Sequence, residues 1–248
     1  SCTVRYLWND TEEKVDDDDV FDSQTVSETF TANPKTIANC TIVPEHNVTK
    51  SITVNPDSDN NVIIFYYYKN VTLKVNSDTL EYNGFEQSVS GFTGAPEGAD
   101  FSAITVGAKG TDAGVYPAKF ADGTVGKTDA DKKYIVVEAI DGSLTITAKA
   151  AVITITAASD SKPYDGTPLT NDRYTFTQGV LVNGDVLQAV VEGSQTDKGS
   201  SANVVKSYKV VRGSDDVTSN YKFADSVDGT LTVTKRKVTR TSGTARKI

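Results

Sequence analysis

Asp141-Gly142-Ser143-Leu144-Thr145-Ile146-Thr147 and Asp228-Gly229-Thr230-Leu231-Thr232-Val233-Thr234 are two versions of one stretch. Each opens on an Asp-Gly pair, a turn signal, and continues with apolar and polar residues in alternation. A period of two puts every second side chain on one face of a half-buried strand. Upstream of each copy the matches continue. Tyr134 pairs with Tyr221, and Asp112-Ala113-Gly114 with Asp197-Lys198-Gly199. Tyr82-Asn83-Gly84 pairs with Tyr164-Asp165-Gly166, and Val71-Thr72-Leu73-Lys74-Val75 with Val152-Ile153-Thr154-Ile155-Thr156. The chain therefore contains itself, the mark of a repeat architecture. The matched residues are turn glycines, aromatics and strand residues, which a repeated scaffold must share.

The repeat sets the expected organisation. Residues 1–69 lie outside it, residues 71–149 form the first copy and residues 151–235 the second. Val238–Lys247 aligns with Ile153–Lys162, so residues 236–248 read as the truncated start of a further repeat. The joints near Lys69-Asn70 and Lys149-Ala150-Ala151 are very short, which favours a semi-rigid rod. Val62-Ile63-Ile64-Phe65-Tyr66-Tyr67-Tyr68 is a β-branched and aromatic run bounded by Asn, expected as a central strand buried on both faces. No long amphipathic helix is visible. Short helices are conceivable at residues 22–32 and near 178–184, where Gly179 and Gly184 weaken the second.

Composition narrows the function. The 248 residues carry a net charge of −8, with one His, two Cys, one Trp and no Met. A single histidine forbids a multi-histidine metal site, and two cysteines forbid a four-cysteine zinc site. No metal site and no cofactor are expected, and the chain is expected not to be an enzyme. His46 would have to serve any Ser-His-Asp arrangement, and no nucleophile-elbow motif accompanies it, so it reads as an exposed loop residue. An acidic chain is a poor nonspecific nucleic-acid binder, and no apolar run approaches the length of a membrane span. Residues 1–70 hold five Lys/Arg against 12 Asp/Glu. The densest acid run, Asp16-Asp17-Asp18-Asp19, reads as a solvated loop tip, since like charges repel. It lacks the glycine of a calcium loop.

Four side chains in the first segment could stack on sugars: Trp8, Tyr66, Tyr67 and Tyr68. Core packing competes with that role, and alternation sets Tyr67 opposite Tyr66 and Tyr68. Cys2 and Cys40 are an even pair whose disulfide would close a loop of about 38 residues and add about 3–4 kcal/mol. Two unpaired thiols are the alternative. Lys74 and Lys206 sit in strand-like segments, where an inward-facing lysine could form an isopeptide bond.

Thr3-Val4-Arg5-Tyr6-Leu7 with Asn9-Asp10, Phe30-Thr31-Ala32, Cys40-Thr41-Ile42-Val43 and the closing Ile64-Phe65-Tyr66-Tyr67 resemble mucin-binding-protein repeats of Gram-positive surface proteins. Asn39-Cys40 stands where that family commonly has Gly-Tyr. Lys162-Pro163-Tyr164-Asp165-Gly166-Thr167 and Gly193–Ser201 resemble the tandem Tyr-Asp-Gly-Thr repeats found beside such modules in Firmicute surface proteins. The resemblance implies a mainly β, elongated tandem array: one β-grasp-like module with a short helix, then two β-sandwich, immunoglobulin-like modules. It also implies an extracellular, wall-attached adhesin fragment, monomeric in solution, that engages host mucin or other glycans through residues 1–69. A structural stalk with no ligand of its own is the alternative. No signal peptide or sorting motif is present, so the chain is expected to be an internal fragment of a longer one.

Overall fold

The computed structural model describes residues 1–9, 11–182, 184–241 and 243. The protein is mainly β. The described residues hold no α-helix, and their helical turns are three short 3-10 segments at Pro44–His46, Ser58–Asn60 and Thr218–Asn220. Neither expected helix forms. Between residues 22 and 32, Ser23 and Ser27 take left-handed backbone angles (φ 60° and 70°), which no α-helix accommodates. The segment then enters the strand Thr29–Ala32, paired antiparallel with Lys50–Thr53. Gly179 and Gly184 are likewise left-handed (φ 78° and 92°).

The described residues fall into two compact units. Unit 1 comprises Ser1–Asp78, Ser88–Lys109 and Val115–Leu144; unit 2 comprises Thr79–Gln87, Gly110–Gly114 and Thr145–Ile248. Lys69 and Asn70, where a joint was expected, lie inside one 14-residue strand, Val62–Val75.

That long strand is the spine of unit 1. On one edge it takes two parallel partners end to end. The strand Cys2–Trp8 runs beside Val62–Tyr67, and the strand Tyr134–Ile140 beside Lys69–Lys74. On the other edge it pairs antiparallel with Cys40–Ile42 and then with Phe92–Thr93. Burial alternates: Ile63, Phe65, Tyr67, Val71, Leu73 and Val75 are all 6% exposed or less. They point to one face, whereas Thr72 and Lys74 are exposed. The strand is thus a one-faced core strand over most of its length, and Tyr68 is the additional residue buried from the opposite side. Two apolar clusters form along it. One gathers Val4, Tyr6, Phe30, Val54, Ile63, Phe65 and Tyr67; the other gathers Val71, Leu73, Phe101 and Val136. Each fully buried aliphatic or aromatic side chain there is worth about 1.5–3 kcal/mol.

The acid run is not a loop tip. Asp16–Asp19 belong to the edge strand Lys14–Phe21, paired antiparallel with Cys2–Trp8. One cation from another segment and one from the strand itself offset the repulsion. Lys35 reaches Asp16 at 3.0 Å and Asp19 at 3.5 Å, and Lys14 reaches Asp18 at 2.8 Å. The Tyr6 hydroxyl donates to Asp19 at 2.7 Å. Lys35 holds the Asp16 carboxyl below its usual range. A charged edge strand of this kind discourages pairing with other chains.

The internal match extends to hydrogen bonds. Tyr82 N donates to Thr147 O at 2.8 Å, and Tyr164 N to Thr234 O at 2.9 Å. The Thr147 hydroxyl donates to Leu80 O and the Thr234 hydroxyl to Lys162 O. Ser143 N donates to Ser77 Oγ, and Thr230 N to Ser159 Oγ. Asn83 Oδ1 caps Phe85 N as Asp165 Oδ1 caps Thr167 N, each at 2.9 Å. Gly84 and Gly166 close these turns at φ +85° and +84°. Within unit 2, the strand Gly229–Thr234 lies between Asp160–Pro163 and the Gly199–Asn203 part of the strand Gly199–Arg212. Leu231 and Val233 form its buried face with Leu169.

Of the residues read as a truncated further repeat, 236–241 carry no strand, and Ser242 and residues 244–248 lie outside the described residues, as does Asp10 of the Asn9-Asp10 turn.

Candidate functional site

Trp8 ends the first strand, in parallel register with Tyr67. The chain leaves the sheet there, and three bonds fix the exit. Asn9 N donates to Tyr67 O at 2.8 Å, and Trp8 N to Glu13 O at 3.0 Å. The Thr11 hydroxyl donates to Trp8 O at 3.1 Å. A fourth tie is long-range: Asn9 Nδ2 donates to Lys132 O at 2.9 Å. The Asp129 carboxylate, 2% exposed, accepts from Lys133 N and Tyr134 N, both at 2.8 Å, and so sets the start of the strand Tyr134–Ile140.

These constraints bring Trp8, Thr11, Glu13, Lys69, Lys133 and Tyr134 around one cleft of about 280 Å³. It opens where the spine strand exchanges its first parallel partner for its second. The Lys69 ammonium lies 5.0 Å from the Trp8 ring centre and 5.9 Å from that of Tyr134. A cation between two aromatic rings is held by their quadrupoles, and it pins both rings. The cleft thus offers two aromatic surfaces, two ammonium groups, a carboxylate and a hydroxyl.

The other expected stacking residues go elsewhere. Tyr67 is 1% exposed, and its hydroxyl donates to Lys35 O at 2.7 Å; burial pushes its phenol up to about 12. Tyr68 is 8% exposed. Both are therefore core residues and cannot serve as open stacking platforms. Tyr66 is half-buried with its ring edge-on to His46 at 4.9 Å. Trp8 alone of the four lines the cleft. Tyr134, read from sequence as a repeat scaffold residue, and Lys69, read as part of a joint, are the site residues that sequence reasoning missed. Only their match to aromatic–basic neighbours 61 to 126 positions away identifies them, and that match is purely tertiary.

The expected Cys2–Cys40 disulfide is absent: both thiols are free. Register explains it. Cys2 precedes the Thr3–Val62 pair on one edge of the spine, whereas Cys40 lies opposite Lys69 on the other. Eight residues of strand separate these levels, about 26 Å at 3.3 Å per residue, against the 7 Å or so a disulfide spans. The Cys40 thiol instead donates to Ile37 O at 3.4 Å. Lys74 and Lys206 are exposed rather than inward-facing, so neither meets the conditions for an isopeptide bond.

His46 is half-buried, not an exposed loop residue. The Lys50 ammonium donates to His46 Nδ1 at 2.6 Å and to Ile64 O at 2.7 Å. Nδ1 also lies 3.2 Å from Ile64 O, and it accepts from Lys50 only as a neutral ring with the proton on Nε2. Burial, then the nearby Lys50 charge, hold the His46 pKa below its ordinary 6.5. The unfolded chain therefore takes up this proton more readily than the folded one. Stability from this group is complete above pH 6.5 and is lost as pH falls below it. Urea unfolding followed between pH 7 and pH 5 should show unit 1 weakening, and His46→Gln should remove that part of the slope. An unchanged slope in the variant would contradict the assignment.

Among the described residues no group of three or more His, Cys, Asp or Glu could hold a metal ion, and no helix is long and apolar enough to cross a membrane. Compared with known proteins, the chain matches no family model and none of the curated proteins.

Proposed function

We propose that this chain is part of an extracellular bacterial surface adhesin that binds mucin or another host glycan through the Trp8 cleft. The observation that carries this reading is the Trp8–Lys69–Tyr134 arrangement in unit 1. Aromatic faces stack on the apolar faces of sugar rings. The two ammonium groups suit acidic sugars, and Glu13 and Thr11 suit hydroxyls. The function is binding, without catalysis, by a wall-attached chain that is monomeric in solution.

The finer fold reading belongs to the same proposal. The antiparallel pairing of Cys2–Trp8 with Lys14–Phe21, and its parallel pairing with the spine, support a β-grasp-like first module. In it, Thr29–Ala32 and Lys50–Thr53 form a further antiparallel pair. The matched hydrogen bonds of the two repeats support two β-sandwich-like modules after it in the sequence. They also favour the second reading, in which the repeats act only as a stalk.

Trp8 is the single tryptophan, so its fluorescence reports the cleft directly. Glycan-array hits and soluble mucin fragments should shift the Trp8 emission. Lys69→Gln should weaken binding by about tenfold, the loss of one desolvated cation contact. If no glycan shifts Trp8 and the array stays blank, the stalk reading stands alone.

A further inference from the structure

Unit 2 contains a socket filled by a turn. The strand Asp185–Glu192 runs antiparallel to Gly199–Arg212, and this register sets Asp185 directly opposite Arg212. Arg212 Nε donates to Asp185 Oδ1 at 2.9 Å. The Tyr221 hydroxyl donates to Asp185 Oδ2 at 2.6 Å and accepts from Val182 N at 3.0 Å. Into this group comes Tyr82, fully buried, its hydroxyl on Asp185 Oδ2 at 2.7 Å. Its ring lies beneath the Arg212 guanidinium and edge-on to Tyr221 at 5.6 Å. Gly84 packs so closely on Val182 that a Cβ would come within 2.9 Å of Cγ2. A second turn docks beside the first. Asp112 Oδ1 accepts from Asn220 Nδ2 at 2.7 Å, and Ala113 N donates to Asn220 Oδ1 at 2.6 Å.

Both turns have counterparts later in the chain. Tyr164-Asp165-Gly166 reproduces the Tyr82 turn bond for bond, including its hydrogen bond to the last residue of the closing strand. Asp197-Lys198-Gly199 is the sequence counterpart of Asp112-Ala113-Gly114. All six of these residues are exposed, and Tyr164 is 41% exposed. The later turn is also held ready. The Lys162 ammonium bonds Asp165 Oδ1 at 2.9 Å and the Thr167 hydroxyl at 2.7 Å. A preformed turn loses little freedom on docking.

We propose that the Tyr164 and Asp197 turns are a docking surface for a repeat module that carries the Asp185–Arg212–Asn220–Tyr221 socket and is joined directly after Thr234. The occupant is specified by chemistry: a buried carboxylate that accepts a tyrosine hydroxyl, an arginine to cover the ring, and an asparagine to take the aspartate turn. A second copy of this same chain does not qualify, because Tyr82 already fills its socket. The proposal is independent of the glycan reading, since it concerns a different unit and a different ligand.

The test is a chain in which residues 148–234 are repeated directly after Thr234. Tetranitromethane nitration, mapped by mass spectrometry, compares Tyr164 in the parent and the extended chain. Tyr164 should react readily in the parent and about tenfold more slowly in the extended chain, as a side chain reachable only by local opening, with Tyr82 protected in both. Asp185→Leu placed in the appended copy alone should restore the reactivity of Tyr164. Tyr164→Phe should leave the parent's melting temperature unchanged and lower that of the extended chain. Equal nitration of Tyr164 in the two chains, with the appended copy folded, would overturn the proposal. So would an appended copy that stays unfolded, because docking on the Tyr164 turn is what should fill its socket.

Discussion

Replacing Asp185 by alanine is expected to cost unit 2 about 3 kcal/mol and to lower its melting temperature by roughly 10 °C. The carboxylate receives one guanidinium and two phenols within 2.6–2.9 Å, and its side chain is fully buried. Burial pushes its pKa up, against the Tyr221 hydroxyl bond, so its charge depends on these donors. Deleting it strands two buried hydroxyls and removes the nearer counter-charge of Arg212, leaving Asp112 at 3.9 Å. Arg212 is 30% exposed and can turn partly to water, which places the loss at the lower end of the range for broken buried pairs. Tyr82→Phe removes one charge-assisted bond and should cost about 1.5 kcal/mol; Tyr221→Phe should cost more, because it also takes the acceptor of Val182 N. Urea unfolding of the single and double variants measures this. Strict additivity of Asp185→Ala with Tyr82→Phe would show that the two residues do not act together.

Gly229→Ala should destabilise unit 2 by a similar amount, about 3 kcal/mol. The reason is steric. A Cβ there would come within 2.3 Å of Ala158 O and 2.8 Å of Ala157 O. Both obstacles are backbone, and the backbone is tied down. Ala157 N donates to Val227 O and Ala158 N to Arg173 O, each at 2.9 Å, and Asn203 Nδ2 donates to Ala158 O at 2.8 Å. Gly166→Ala is the control. It meets nothing within 4 Å, and only its φ of +84° is unfavourable, so it should cost about 1 kcal/mol. Denaturant midpoints and amide exchange at Leu231 and Val233 check both. Equal losses at the two glycines would show that crowding by the Ala157 and Ala158 carbonyls does not set the cost at Gly229, whose own φ lies outside the left-handed region.

The strands themselves were readable where one residue's neighbours in sequence determine its burial. Leu144, Ile146, Leu231 and Val233 alternate in the sequence and are all 2% exposed or less. The matched turns were readable for the same reason, since each is local and carries its own glycine. What could not be read depends on distant partners. Asp16–Asp19 looked like a loop because the lysine that offsets them, Lys35, comes from another segment. Lys69-Asn70 looked like a joint because polar residues interrupt an apolar run. Lys69 N in fact bonds Lys133 O, and Asn70 N bonds Asn39 O, so the strand simply changes partners there. Of the site, Trp8 was legible as an aromatic at a strand end. Tyr134 and Lys133 reach the cleft only through the parallel pairing with the spine.

That pairing has a mechanical consequence. Cys2–Trp8 and Val62–Tyr67 run in the same direction over six register pairs. A pull that draws the start of the first strand away from the far end of the spine loads those pairs in shear. All six rungs then bear the force together instead of opening one after another as in a zipper. Against a load along that line, the first strand and the spine form a clamp.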